Sequence, residues 1–215
     1  GQEVLLDDGK IHLKIVEKAE NMAENGGENT QGKRYFAKVL WGGLLKSRKS
    51  AALPGVKIYP PTLTNSDLAN IKIAKEMGVT GVMQPFVRDH SDLECVKEAL
   101  REAGAEDIRL FAKIENMDGV RKLEKLLPAA DEIVIARGDL GNAVHLWDLP
   151  GVQRQISEKC RAAGKPFMVV TQMLASMERS PVPTRAEVND IFHAVMDGAA
   201  SIMVTGETAV GDYPV

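Results

Sequence analysis

Lys113 and Glu115 stand two residues apart at the end of an apolar run, Ile108 to Ala112, that reads as a buried strand. Side chains alternate faces along a strand, so these two point the same way and Ile114 the other. An ammonium and a carboxylate sharing one face are costly to bury without partners. A second run, Glu132 to Ile135, ends in Ala136-Arg137-Gly138-Asp139-Leu140-Gly141. The C-terminal ends of parallel strands are where barrel and other α/β enzymes keep their chemistry. A structural ion pair accounts for either motif alone; the two together read as a site.

The next strand ends bring Thr171 and the segment Thr205-Gly206-Glu207-Thr208 to the same rim. Two carboxylates on adjacent strands, Glu115 and Asp139, suit a hard dication that keeps waters for a substrate, Mg²⁺ or Mn²⁺ rather than zinc. Gly138 lets the backbone approach a ligand, and the N–H groups around it can hold an anion. Lys113 adds a fixed positive charge. A lysine, a dication and backbone N–H groups converging on one point suit phosphoryl transfer, where positioning and charge stabilisation do most of the work. Thr171 is also explained by satisfying a backbone group at its strand end. The four histidines share no spacing, and Met173 and Met177, four apart, read as packing residues.

Alternating helices and strands must position these groups. Thr64 and Asp67 predict a helix through Lys75 that stops at Gly78, followed by a strand from Val79 to Met83. Ser91-Asp92-Leu93-Glu94 reads as a capping box for a helix to Ala103. A helix with Val120, Leu123, Leu126 and Leu127 on one face follows the strand at 108–115. Strand 132–137, a helix from Val152 to Ala163, strand Phe167 to Thr171, a capping box at Thr184-Arg185-Ala186-Glu187, a helical stripe (Val188, Ile191, Phe192, Val195, Met196) and strand Ser201 to Val204 complete the series. Arg185 and Glu187 read as capping and ion-pair residues, and Glu207 and Thr208 as shaping the rim. Five βα units predict a parallel sheet whose repeat length also suits a (β/α)₈ barrel; with two unpaired edges it is either an ordinary open sheet or part of something larger. Residues 1–57 differ: Ile11 to Val16 and Tyr35 to Leu40 read as a hairpin around a polar loop, and Leu53-Pro54-Gly55 marks a boundary before the segment 58–215.

The 215 residues, 44% hydrophobic, support a real core. A net charge of −3 with interspersed basic residues gives no footprint for nucleic acid. No apolar run approaches the roughly 20 residues of a membrane span, and no signal peptide is evident. Cys95 and Cys160 lack metal-ligand spacing and read as buried small residues in a reducing, cytoplasmic compartment.

Lys113-Ile114-Glu115-Asn116, Ala136-Arg137-Gly138-Asp139-Leu140-Gly141, Gly164-Lys165-Pro166, Thr171-Gln172-Met173-Leu174-Ala175-Ser176-Met177, Pro183-Thr184-Arg185-Ala186-Glu187-Val188 and Gly206-Glu207-Thr208-Ala209 together resemble pyruvate kinase. Asp7-Asp8-Gly9 and Leu45-Lys46-Ser47-Arg48-Lys49 are similar to the second half of the lid domain that this family inserts into its (β/α)₈ barrel. The resemblance implies part of a β lid domain followed by barrel strands 4 to 8. It implies phosphoryl transfer from phosphoenolpyruvate to ADP, giving pyruvate and ATP in glycolysis. Glu115 and Asp139 would hold Mg²⁺ and Lys113 would stabilise the phosphoryl group in flight. Thr171 would sit over the substrate near enolate protonation, with the backbone of Arg137, Gly138 and Asp139 at its carboxylate. Lys49, ahead of Arg48, would be the lid residue nearest the nucleotide phosphates; a solvated face is the competing account of both. The K⁺ ligands and a phosphate-gripping arginine fall outside the chain, and the parent is expected to be a homo-oligomer, a tetramer by family.

Several positions depart from the family pattern. Ala143 stands where a glutamate is usual, Pro85 where a serine precedes Phe86, and Ser50-Ala51-Ala52 where Gly-Val-Asn is expected. These departures leave two alternatives: a catalytically silent relative used for binding or assembly, and a metal-dependent lyase or aldolase that binds pyruvate enolate on a similar barrel. The isolated 215 residues are expected to lack kinase turnover.

Overall fold

The computed structural model describes residues 1–7, 9–19, 33–56 and 58–214. The chain separates into two compact units, Gly1–Ile58 and Tyr59–Val215.

The first unit is a four-stranded antiparallel sheet in the order β3-β2-β1-β4. Its strands are β1 (Glu3–Leu6), β2 (Ile11–Lys18), β3 (Tyr35–Trp41) and β4 (Ala51–Ala52). The expected hairpin is the β2–β3 pair, whose register shifts twice, at His12/Leu13 and Ile15/Glu17. Residues 20–32 of its connection lie outside the described residues. Beyond the hairpin, β1 and β4 bring the segment before Ala51 back beside Asp7, whose N–H donates to the carbonyl of Ser50 at 3.0 Å.

The second unit is built on a five-stranded parallel sheet whose spatial order follows the chain: β5 (Gly81–Gln84), β6 (Arg109–Ile114), β7 (Glu132–Ala136), β8 (Phe167–Val170) and β9 (Ser201–Met203). With its helices it is a partial (β/α) barrel. The registers sort each strand into two faces. Leu110, Ala112, Ile114, Ile133, Ile135, Phe167 and Val169 point to the helices and form the dry core. Phe111, Lys113, Glu132, Val134 and Met168 point the other way. At the N-terminal end of that second face, Glu132 accepts from Arg109 and from the Ser201 hydroxyl, both at 3.2 Å, tying β6, β7 and β9 together.

Around the sheet lie α1 (Asn65–Ala74), α2 (His90–Glu102), α3 (Met117–Arg121), α4 (Leu123–Leu126), α5 (Arg137–Ala143), α6 (Leu149–Ala162), α7 (Arg185–Met196) and α8 (Gly206–Ala209). Thr64 caps α1 reciprocally with Asp67, and Thr184 caps α7 with Glu187, as the sequence predicts.

Four expectations need correction. The cap of α2 is Asp89, two residues ahead of Ser91, with Asp92 as its reciprocal partner. The helix expected across Val120 to Leu127 breaks at Lys122 into α3 and α4, although all four apolar residues are buried as expected. Helix α6 begins at Leu149, because Pro150 fits a first turn, where its missing N–H costs nothing. Cys95 is exposed, whereas Cys160 is buried and burial pushes its thiol up to about 12. Among the described residues no helix is long and apolar enough to cross a membrane.

Candidate active site

The end of β6 gives each residue of Lys113-Ile114-Glu115-Asn116 a separate task. Ile114 anchors the strand in the core, fully buried. Lys113 and Glu115 emerge on the opposite side and pair, Nζ to Oε1, at 2.7 Å. Asn116 caps α3 by accepting from the Gly119 N–H at 2.9 Å, and its amide donates to the carbonyl of Val87 at 3.0 Å. Glu115 is only 3% exposed, a burial that its two charge-assisted partners make tolerable. The second partner is the N–H of Phe86, 2.7 Å from Oε2.

Phe86 reaches that position through a backbone φ of +51°, a region that bulky residues avoid. The loop after β5 is fixed by Asp92, which accepts from the Arg88 guanidinium and amide and from the Thr62 hydroxyl. Burial alone would raise Asp92, but the Arg88 hydrogen bond, with Thr62 behind it, holds the carboxyl down to about 2.

At the end of β7 the chain turns directly into α5, which the sequence reading missed. Arg137, Gly138 and Asp139 form its first turn, where backbone N–H groups have no partner inside the helix and a carboxylate is favoured by the helix dipole. Gly138 packs against the next strand end. A β-carbon there would come within 3.0 Å of the Thr171 methyl carbon, so close approach to Thr171 is what demands glycine. The Arg137 side chain turns away from the first turn and forks onto the Thr171 carbonyl, with Nε at 3.1 Å and Nη2 at 2.7 Å. Its Nη1 meets Asp190 of α7 at 2.6 Å, and Nη2 also contacts the Met173 sulfur.

Thr171 follows β8 with φ +79° and Gln172 with φ +56°. A β-branched residue in the left-handed region is strained and persists only where its surroundings dictate it. Here Arg137 holds the carbonyl, Met173 is fully buried in its packing role, and two carboxylates hold the loop beyond. Glu207, largely buried at the end of β9, accepts from the N–H groups of Leu174 and Thr205 at 2.9 and 2.7 Å. Glu187 accepts from the amide and hydroxyl of Ser176 and from Thr184. Burial raises Glu187, but these bonds, Ser176 first, bring it to about 2.

Comparison with known proteins now decides the family. A model described as the pyruvate kinase barrel domain matches residues 1–215. The chain belongs to the pyruvate kinase family. It is 40% identical over its whole length to the pyruvate kinases of Bacillus licheniformis and Geobacillus stearothermophilus, covering 35% of each. It is 36% identical to that of Clostridium acetobutylicum, covering 43% of it. The chain thus spans between a third and a half of the length of these curated relatives.

For this pyruvate kinase family chain, the structure joins Lys113 directly to Glu115 and both Arg137 and Gly138 directly to Thr171. Asp139 follows in the same first turn of α5. Lys49 belongs to the other unit, where it pairs with Asp7 at 3.0 Å. Among the described residues, no three His, Cys, Asp or Glu side chains cluster as metal ligands. Carboxylate oxygens such as those of Glu115 and Asp139 are the donor type that a hard dication prefers. The sequence reading did not single out the Phe86 amide or Asp190. Phe86 gave no local signal, and the acidic Asp190 was visible only as a polar residue on a helix.

Proposed function

We propose that the protein containing this chain transfers the phosphoryl group of phosphoenolpyruvate to ADP, forming pyruvate and ATP. The observation that carries this reading is the Lys113–Glu115 pair at the end of β6, with Oε2 of Glu115 held by the Phe86 amide. Glu115 and Asp139 are the residues that would hold Mg²⁺ or Mn²⁺, which when bound supplies positive charge to the phosphoryl and enolate oxygens. Lys113 presents an ammonium to the phosphoryl group in transit. The first-turn amides at Arg137, Gly138 and Asp139 orient the substrate carboxylate. Thr171, its carbonyl fixed by Arg137, offers its hydroxyl above the substrate, where the enolate takes up a proton. Lys49 meets the nucleotide phosphates. The protein works in the cytoplasm, in glycolysis, as a homo-oligomer, and takes its K⁺ ligands from outside this chain.

The 215 residues by themselves should not turn over. In the described residues, β5 and β9 are the sheet's two edges, and α7 leaves Val188, Phe192, Val195 and Met196 exposed. Such edges and faces call for further chain to cover them. A coupled assay of pyruvate formation in the full-length protein tests the reading. ADP-dependent turnover that is lost in Lys113→Ala and Glu115→Ala supports it, and absence of turnover in the wild type with Mg²⁺ and K⁺ rejects it.

A further inference from the structure

Asp7 follows β1 in the left-handed region, with φ +49°, a conformation that aspartate tolerates better than most residues. Two backbone and two side-chain ties fix it there. Its N–H donates to the Ser50 carbonyl at 3.0 Å, and its own carbonyl accepts from the Lys10 N–H at 3.1 Å. Its carboxylate then meets Lys49 Nζ at 3.0 Å through Oδ1, with Lys10 at 3.6 Å from Oδ2. The Asp7 side chain is 12% exposed, against 36% for Lys49 and 70% for Lys10. The Lys49 ammonium beside it lowers the Asp7 carboxyl, burial works against this, and Lys10 adds to the lowering.

An exposed lysine–carboxylate pair is ordinarily of little consequence, since two flexible side chains must be ordered to make it. This pair differs because only one partner is flexible. The carboxylate is set by backbone on both sides, while Arg48, at φ +58°, turns the chain immediately before Lys49. A lysine gives up considerable rotamer freedom whenever its ammonium is placed. An ammonium also has three donors, so one hydrogen bond to Asp7 leaves two for an anion.

Given Lys49 as the nucleotide contact proposed above, we infer that Asp7 is a positioning residue that holds the Lys49 ammonium in place for a nucleoside diphosphate. Asp7 itself touches no substrate. It supplies a fixed anchor, so that the phosphates meet a lysine already ordered.

The test uses the full-length protein and the variants Lys49→Met, Asp7→Asn and Asp7→Glu. Lys49→Met should raise the KM for ADP. Asp7→Asn should raise it about tenfold while leaving the KM for phosphoenolpyruvate unchanged, and Asp7→Glu should recover part of the loss. Asp7→Asn added to Lys49→Met should have no further effect on the KM for ADP. A second readout needs no turnover: acylation of Lys49, followed by mass spectrometry, should quicken in Asp7→Asn relative to the other lysines. If Lys49→Met leaves the KM for ADP unchanged, the nucleotide reading of Lys49 fails and takes this inference with it. If Lys49→Met raises it and Asp7→Asn does not, the nucleotide reading stands and the role of Asp7 is overturned. An Asp7→Asn protein that binds ADP more tightly, or in which Lys49 labels no faster, also overturns it.

Discussion

The carbonyl oxygen of Thr171 is gripped by two nitrogens of one guanidinium, Arg137 Nε and Nη2, while the third, Nη1, rests on Asp190. A planar fork can serve both partners at once; a lysine ammonium cannot match that geometry. Arg137→Lys should therefore release either the strained Thr171 peptide or Asp190. We expect a loss of about 1–2 kcal/mol in denaturant unfolding, the lower part of the usual cost of orphaning a polar partner because Thr171 and Asp190 are only half-buried, with a fall in kcat. Unchanged stability would show that the fork does not hold the loop.

The contact between Gly138 and Thr171 offers a paired test. Gly138→Ala places a methyl only 3.0 Å from the Thr171 methyl carbon, and overpacking of this kind costs about 1–3 kcal/mol. Thr171→Ser removes the opposing methyl and keeps the hydroxyl. The double variant should recover most of the stability lost by Gly138→Ala. Equal destabilisation in the single and double variants would mean that helix α5, not Thr171, dictates the glycine.

Glu115 is one of the two proposed carboxylate ligands, and its charge can be removed with little change of shape. Glu115→Gln should weaken Mn²⁺ binding, measured by electron paramagnetic resonance, by at least about tenfold, a typical loss when a charged partner is removed. Lys113→Ala should act differently, lowering kcat by about 10²–10³, as loss of a preorganised charge does. Mn²⁺ binding indifferent to Glu115→Gln would remove Glu115 from the metal site.

Acid stability should report two carboxylates outside the proposed chemistry. Asp92 is held to about 2 from 3.8, and Glu187 to about 2 from 4.5. A folded-state value below the unfolded one means stability present above the unfolded value and lost as pH falls through the folded one. Between about pH 4.5 and 2, wild type should lose stability more steeply than Asp92→Asn or Glu187→Gln. Parallel pH profiles for all three proteins would contradict this.

Local signals in the chain were legible because they act over a few residues. Thr64 with Asp67 and Thr184 with Glu187 are capping boxes by spacing alone, and both form. The apolar runs ending at Lys113 and Arg137 announced strands whose polar ends had to meet something. Ser91 misled because its spacing matches a cap, while Asp89 takes the Ser91 N–H and Asp92 is engaged by Arg88 from outside the helix. Helix α5 was hidden by its lack of a side-chain cap and by two glycines in seven residues. The stripe on α7 predicted an apolar face correctly but not its exposure, since periodicity names a face and never its neighbour. Within the site, Arg137 with Asp190 and Glu207 with Leu174 join residues 53 and 33 positions apart. No local pattern encodes such pairings, nor the Glu115 contact to the left-handed Phe86 or the Arg137 fork on the left-handed Thr171.

The parallel sheet runs in chain order from β5 to β9 without a crossover. Sequence position is therefore also compass position: Phe86, Glu115, Arg137, Thr171 and Glu207 occur around the rim in the order in which they are translated. Each βα unit brings one rim segment and exchanges strand hydrogen bonds only with the units beside it. A change in one segment therefore falls first on the two adjoining ones, with the Glu132–Ser201 contact from β7 to β9 as a longer tie. A substitution in one sector can thus alter its own rim segment while the other strands keep their bearings.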